Sequence, residues 1–506
     1  MSEQKSADLR RYKILLFVLS LTVAFAFQGS RALYETTEGR YAEVALEMLK
    51  SGNFLEPTLN GRPHWAKPPL AYWGMAAGMA LLGTNEWGVR LFEAVAFVAT
   101  CLLVAGIGSA LWDRTVGVLA GIAYATAPYP VVAANIASTD TFLAFFEIAV
   151  VYFYVRAAFK NQGRRSSFWI ACMWLALGLA FFTKGPTCFL VFAALVVWHL
   201  WSKPPVRLIG PSGIVLFLLA GLSWYVFVIA EHSDLLGYFL GHELAARFYS
   251  SSFHNRRWYK PFVIYLPVLT AGLLPWFAIL CYTRFRKEKL PPYDTAEPPA
   301  GNRRRLLVLW IAIPLFVFSI VRSRLPLYVL PLAAPILLLC AEATARLWRE
   351  KALRRACTLA VATGVLLVGA KGTAALLPTK KDMRRLYHKC LEAGGKNAVL
   401  ASLNRAKLFG LQFYNGGKLL RISSPRKEDW ADMSLNEALK RFKEERRRTW
   451  VLVGGRDTMK SAVKLLQDKG FGVRTTSLGF WTICVLRPES PPLGRAGAAA
   501  GAPAGR

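Results

Sequence analysis

Residues 34–49 read YETTEGRYAEVALEML and follow almost directly on an apolar run, ILLFVLSLTVAFAF. Glu35, Glu38, Arg40, Glu43 and Glu47 therefore stand one or two turns beyond a bilayer crossing. Carboxylates placed there can orient a hydroxyl or take its proton. Thr36 or Thr37 can cap a helix, and Glu38 in its first turn suits the positive end of the macrodipole. Tyr41, Ala45, Met48 and Leu49 would share one face, so an amphipathic helix at the membrane surface is expected. Glu38 then has two readings, helix-end electrostatics or chemistry.

A second candidate lies just downstream. In LNGRPHWAKPPLAYW, Lys67 is pinned by Pro68 and Pro69 beside Trp65, Tyr72 and Trp73. A lysine among interfacial aromatics can simply snorkel, but one held by two prolines is also a preorganised phosphate contact. Asp140 in STD reads as an N-cap or as a functional acid. Lys184 in FTKGP reads as a helix end or as a site residue. His242-Glu243 lacks the second histidine of a zinc protease motif, because position 246 is alanine. No set of carboxylates and histidines calls for a metal, so neither metal nor cofactor is expected.

These residues need a scaffold, and composition says which. The chain has 506 residues, of which 54% are hydrophobic. Runs of about 18 or more apolar residues, enough to cross a bilayer as helices, recur through its first three-quarters. Eleven spans are expected, near 13–29, 88–111, 115–129, 138–159, 168–183, 186–201, 207–230, 261–283, 305–321, 326–347 and 353–374. LAYWGMAAGMALLG either spans or lies flat. The net charge of +32 gathers in RRYK, KNQGRR, SKPPVR, RFRKEKL…GNRRR and LWREKALRR, between apolar runs. Such loops mark the cytoplasmic side and favour anionic lipid. No nucleic-acid-reading motif occurs, and nucleic acid is not an expected partner. With the N-terminus inside, the isolated polar residues all fall on the opposite face. A transporter would want them near the bilayer midplane on broken helices; here they suit chemistry at the membrane surface.

Beyond about residue 378 the pattern changes to a small α/β domain. NAVLASL and TWVLVGG read as strands, SLNEALKRFKEERRR and DTMKSAVKLLQDKG as helices, and GVRTTSLGFWTICVLR as a last strand or hairpin. Residues 1–377 are thus read as the membrane domain, with a first outer loop over 30–87. Residues 378–488 are read as an extracytoplasmic domain and 489–506 as a disordered tail. Six of the eight cysteines lie in or beside apolar runs; Cys390 and Cys484 could pair outside.

The outer-loop segments, in order, resemble the GT-C glycosyltransferases that use polyprenyl-phosphate sugars. The nearest group is the lipid A aminoarabinose transferases, with protein O-mannosyltransferases further off. Glu38-Gly39-Arg40-Tyr41-Ala42-Glu43 resembles the family's acidic helix, and EMLKSGNFLEPTLNGRPHWAKP its continuation. STDTFLAFF, FTKGP, HELAARF with YLPVLTAGLLPW, and SRLPLYVLP follow in family order. The resemblance covers about residues 10–345 and implies a polytopic α-helical fold of about 11–13 membrane helices.

It also implies roles. Lys67, Arg247 and Tyr328 would hold the donor phosphate. Arg31, Arg40, Tyr41, Lys184 and Glu243 would support the site, with Arg31 and Arg40 expected either in the same pocket or paired with Glu38 and Asp140. The family's helix begins with Asp-Glu, whereas here Thr37 stands at the Asp position. Either Glu38 or Asp140 then acts on the acceptor. In GHELAARF the family's spacing of acid, histidine and arginine is not kept, since Leu244 falls where the histidine would be. The implied reaction is metal-independent, inverting sugar transfer from an undecaprenyl-type monophosphate carrier in a bacterial inner membrane. The N-terminus would be cytoplasmic and the C-terminal domain periplasmic. The expected acceptor is lipid A, lipopolysaccharide or another glycan; a protein acceptor and a transporter are the alternatives.

Overall fold

Among the described residues, helices carry most of the chain as far as residue 374. The structure is a computed structural model that describes residues 2–160, 164–245, 257–286, 290, 293, 300–377, 379–445 and 448–487. It divides into two units, one of residues 1–31 and 44–377, the other of residues 32–43 and 378–506. The second unit therefore takes in a stretch of the first outer loop as well as the C-terminal region.

In the first unit, among the described residues, five helical segments are long and apolar enough to cross a bilayer, and two bent helix pairs raise the number to seven. Glu86–Leu111, Thr139–Lys160 and Pro211–Glu231 each match one expected span. Arg165–Ser202 takes in two of them, and Pro326–Ala374 another two. The bent pairs, Arg114–Thr126 with Pro128–Ala134 and Lys260–Leu273 with Trp276–Phe285, turn by 60° and 92°. Pro128 and Pro275 stand at these breaks, where proline cannot continue the preceding hydrogen-bond ladder. Helices Ser2–Phe25 and Ala300–Ile320 fall on the remaining two. The ambiguous run forms Leu70–Leu82, whose 13 residues reach about 20 Å, short of a bilayer core of about 30 Å.

Small residues set the closest packing. A Cβ added at Gly108 would lie 2.9 Å from Gly117 Cα, so helices Glu86–Leu111 and Arg114–Thr126 touch backbone to backbone. Around them Phe97, Tyr124, Ile148, Tyr154, Trp198, Trp276 and Trp310 pack into one continuous core.

The second unit is built on a six-stranded sheet. A short hairpin in the first unit supplies β1 (Thr58–Leu59) and β2 (Arg62–Pro63); the sheet holds β3 (Val399–Leu403), β4 (Leu420–Ser423), β5 (Met433–Ser434), β6 (Trp450–Gly455), β7 (Val473–Leu478) and β8 (Trp481–Leu486). Their order is β5-β4-β3-β6-β8-β7, parallel as far as β6 and antiparallel beyond it. Alternate residues of β6 enter opposite cores, as the strand period requires. Trp450 and Leu452 meet helices Leu435–Glu444 and Arg456–Asp468, while Val451 and Val453 meet Met383–Gly394 and Phe409–Tyr414.

That alternation corrects one expectation. Cys390 belongs to one core and Cys484 to the other, and both thiols are free. The sheet stands between them, and burial pushes each thiol up to about 12.

Residues 32–43 are bound into this unit by their backbone and carboxylates. Leu33 N donates to Tyr414 Oη at 2.9 Å, Gly410 N to Glu35 Oε2 at 2.7 Å, and Gln412 Nε2 to Glu43 Oε1 at 3.0 Å. Burial raises the Glu35 carboxyl to about 7, against the opposing pull of the Gly410 and Phe409 N–H groups and the Arg40 charge.

Candidate functional site

A cavity of about 400 Å³ opens in the first unit. Its walls are almost wholly apolar, from Leu143, Phe181, Leu190, Ile229, Phe239 and Phe318 among others, and into them project Lys67, Lys184, Tyr328 and Ser323. Each polar group is brought there by a local chain reversal that the sequence explains.

Lys67 sits between the β1–β2 hairpin and helix Leu70–Leu82, with Pro68 and Pro69 fixing φ behind it. The segment that enters the hairpin, residues 54–56, is strapped down in three places. Trp73 Nε1 donates to Phe54 O at 2.7 Å, Trp224 Nε1 donates to Leu55 O at 2.7 Å, and His232 Nε2 lies 2.7 Å from Glu56 Oε1. Trp65, itself a cavity residue, packs against both Trp224 and His232. Lys184 ends helix Arg164–Lys184, and the chain turns at Gly185 with φ +74°, in the left-handed region that glycine supplies without strain. Tyr328 lies in the 3₁₀ turn Pro326–Leu332, which is anchored by Tyr129 Oη donating to Pro326 O at 2.5 Å.

The charges are arranged around Lys184. Its ammonium is hydrogen-bonded to Asp140 Oδ1 and lies 4.5 Å above the Tyr328 ring. Lysine is buried and aspartate nearly so, at 5% and 12% side-chain exposure. Tyr328 Oη is 3.4 Å from Ser323 Oγ. Asp140 opens helix Thr139–Lys160, and its N–H donates to Ser138 Oγ at 3.2 Å. Two turns on, buried Glu147 interacts electrostatically with both Lys184 and Asp140. The cavity thus joins an apolar chamber to two lysines, one of them held by a carboxylate. Such a chamber suits an amphiphile with an anionic head: ammonium and phenol groups take the anion, and the walls take the chain.

The other expected residues fall as follows. Arg31 is 8% exposed and donates to Asn135, from Nε to Oδ1 at 3.3 Å and from Nη2 to the carbonyl at 2.6 Å. Lys371 and Arg90 complete that buried knot where the first helix ends, donating to Val23, Ala24, Gln28 and Arg31. Glu38, Arg40 and Tyr41 belong to the second unit. Glu38 is 2% exposed, with Oε2 accepting from Tyr34 N at 2.9 Å, so its carboxylate closes the start of its own helix, Thr37–Ser51. Arg40 stacks over Tyr41 at 5.2 Å. Glu243 lies in the helical turn Tyr238–Ala245, and Arg247 lies outside the described residues. Among the described residues no group of three or more histidine, cysteine, aspartate and glutamate side chains is gathered as metal ligands would be.

Sequence reasoning passed over Ser323 and Glu147, and named Trp65 only as an aromatic beside Lys67. Glu147 carried a signal, since an acid seven residues after Asp140 lies on the same face of an apolar helix. Ser323 and Trp65 carried none beyond standing near Tyr328 and Lys67.

Comparison with known proteins bears on the fold and on sequence similarity. Along its length the chain follows ArnT from Cupriavidus metallidurans bound to undecaprenyl phosphate, with a TM-score of 0.74 at 19% identity over 94% of this chain and 98% of that one. The chain has the GT-C fold. A more distant structural likeness, with a TM-score of 0.51 at 12% identity, is to the archaeal oligosaccharyltransferase AglB from Archaeoglobus fulgidus, over 97% of this chain and 75% of that one. Residues 66–229 match the dolichyl-phosphate-mannose-protein mannosyltransferase family. In sequence the chain is similar to undecaprenyl phosphate-α-4-amino-4-deoxy-L-arabinose arabinosyl transferases. It is 29% identical to that of Erwinia tasmaniensis over 66% of this chain and 60% of the relative. It is 30% identical to that of Pectobacterium carotovorum over 72% and 66%. The matched part of the chain thus spans roughly three-fifths of the length of these relatives.

Proposed function

We propose that the chain is an integral-membrane glycosyltransferase moving a sugar from a polyprenyl monophosphate carrier, of undecaprenyl type, to an extracytoplasmic acceptor. The observation that carries this reading is the apolar cavity into which Lys67, Lys184 and Tyr328 project. The similarity to undecaprenyl phosphate-using arabinosyl transferases supports it. In this reading the acceptor is lipid A, lipopolysaccharide or another glycan. The mannosyltransferase match over residues 66–229 favours, as a second reading, a protein hydroxyl.

In this reaction the bond from the anomeric carbon to the phosphate oxygen breaks as the bond to the acceptor oxygen forms on the opposite face. The polyprenyl phosphate leaves with an added negative charge. Lys67, Lys184 and Tyr328 would meet that charge in a low-dielectric chamber, where fixed donors act more strongly than in water. Arg247 would join them. A hydroxyl acceptor must also lose a proton, and Asp140 or Glu38 would take it; a phosphate acceptor, already ionised, would need neither. Of the two acids Asp140 is the better supported, through its bond to a cavity lysine, whereas Glu38 is engaged by Tyr34 N. The pattern of basic segments supports a bacterial inner-membrane location with the N-terminus cytoplasmic and residues 378–488 periplasmic.

The test is a transfer assay on the full chain in lipid, with a polyprenyl phosphate sugar and a lipid A or glycan acceptor. Released polyprenyl phosphate and glycosylated acceptor are read by mass spectrometry. Stoichiometric appearance of both, lost in Asp140→Asn, is the expected result. Intact donor with every acceptor class, in a protein that still binds the carrier, would overturn the transferase reading.

A further inference from the structure

Two helices that line the cavity, Phe189–Ser202 and Ala300–Ile320, meet a second charged cluster at their other ends. Helix Phe189–Ser202 leaves the cavity wall at Leu190 and ends against the start of helix Ala300–Ile320, where Trp198 Nε1 donates to Asn302 O at 2.9 Å. Arg303, Arg304 and Arg305 occupy the first two turns of that second helix, beside the positive end of its dipole. Arg305 stacks 4.8 Å over Trp201. The carboxylate serving this cluster is Glu342, which is 5% exposed. It accepts from Arg304 Nη2 at 2.8 Å, lies 3.7 Å from Arg346 Nη1, and also acts electrostatically on Arg303. Three guanidiniums therefore share one carboxylate.

Arg303 is where the balance fails. It is 1% exposed, and its Nε and Nη1 find no hydrogen-bond partner among the described residues. A guanidinium stays charged at any ordinary pH, and burying it without full compensation is costly. Arg304, Arg305 and Trp201, in contrast, are exposed. The surface beside them is apolar: Val197, Leu200, Val308 and Phe316 are all exposed.

We propose that this cluster binds the phosphate of an anionic phospholipid. Arg304 and Arg305 take its oxygens from the exposed side, and Arg303 supplies from behind the charge that Glu342 leaves unneutralised. Guanidinium forks suit phosphate oxygens, and a tryptophan belongs at headgroup level. The exposed Val308, Phe316 and Leu200 offer the apolar surface that acyl chains cover, which selects a lipid over a soluble phosphate. Basic clusters between membrane helices are built for such headgroups.

The experiment is native mass spectrometry and thermal unfolding of the full chain in micelles. The micelles carry phosphatidylglycerol, phosphatidylcholine or no lipid, and inorganic phosphate is added to the last in a separate arm. The wild type should retain phosphatidylglycerol over phosphatidylcholine and melt higher with it. Arg303→Gln and the exposed pair Arg304→Gln/Arg305→Gln should each weaken retention about tenfold or more, as loss of charge-assisted hydrogen bonds predicts. Should Arg303→Gln fail to fold, the exposed pair decides. Equal retention of the two lipids would overturn the proposal, as would unchanged retention by the paired variant. Stabilisation by inorganic phosphate alone would make this a soluble-anion site and overturn it as well.

Discussion

Asp140 and Glu35 are both partly buried acids at or just before a helix start, yet they are satisfied by different means. Asp140 is met by the ammonium of Lys184, a side chain that also faces the cavity and rests on Tyr328. Glu35 is met by backbone N–H groups of residues 409 and 410, and its carboxyl rises to about 7. An ion pair at a cavity wall holds a cation where a ligand can reach it. A carboxylate accepting backbone N–H groups fastens one stretch of chain to another. In the proposed function, chemistry belongs to the first region and assembly to the second.

The largest effect should come from Lys184→Met. It leaves Asp140 buried without its counter-ion, which costs about 3–5 kcal/mol, and also removes a cation from the cavity. Thermal unfolding should drop sharply, and Asp140→Asn in the same chain should restore much of the stability without restoring carrier binding. If the double variant recovers both, Lys184 serves only the fold and the comparison breaks.

Lys67→Ala should be cleaner. Lys67 is half-buried, and Trp73, Trp224 and His232 hold the segment that enters its hairpin without it, so the fold should hold. Loss of one hydrogen bond to a charged group, about 1.5–3 kcal/mol, should weaken polyprenyl phosphate binding about 10- to 100-fold, read by titration in nanodiscs.

Glu35 should give a pH signature rather than a binding defect. Its folded pKa of about 7 lies above the ordinary 4.5, so the folded state holds the proton more tightly than the unfolded state. Stability from this group is therefore fullest below about pH 4.5 and falls as pH rises to about 7, by up to about 3 kcal/mol. Glu35→Gln should flatten that slope in unfolding measured across this range, while carrier binding stays unchanged. An identical slope in the variant would remove the contrast with Asp140.

The smallest effect concerns a cap far from any ligand. Ser434 and Glu437 form a reciprocal capping box on helix Leu435–Glu444. Ser434→Ala should lower stability by about 1 kcal/mol, seen as a small shift in thermal unfolding with binding and turnover intact.

How much of this could be read from sequence depended on range. The helix in SLNEALKRFKEERRR, the hairpin in GVRTTSLGFWTICVLR and the helix start at Thr37 are local patterns, and they stand in the structure. All eleven expected spans fall on helices, because 3.6-residue apolar runs of bilayer length leave little choice. Lys67 was legible beside its prolines, and Tyr328 only through the family resemblance of SRLPLYVLP. The bond between Asp140 and Lys184 was not, because 44 residues separate them and each had an adequate local explanation as a helix end. The same holds for Glu35, whose partners lie 375 residues away. Strands β4 and β5 are too short for periodicity to mark. Arg303 was hidden inside a charge run that read as an ordinary basic loop.

The central claim is that the cavity holds a polyprenyl phosphate by its lysines. Its most direct test is equilibrium binding of undecaprenyl phosphate to the full chain in nanodiscs, for wild type, Lys67→Ala and the Lys184→Met/Asp140→Asn pair. The account predicts saturable binding by the wild type that weakens at least tenfold in both variants while their unfolding stays cooperative. Binding of equal strength in all three, or none in the wild type, would contradict it.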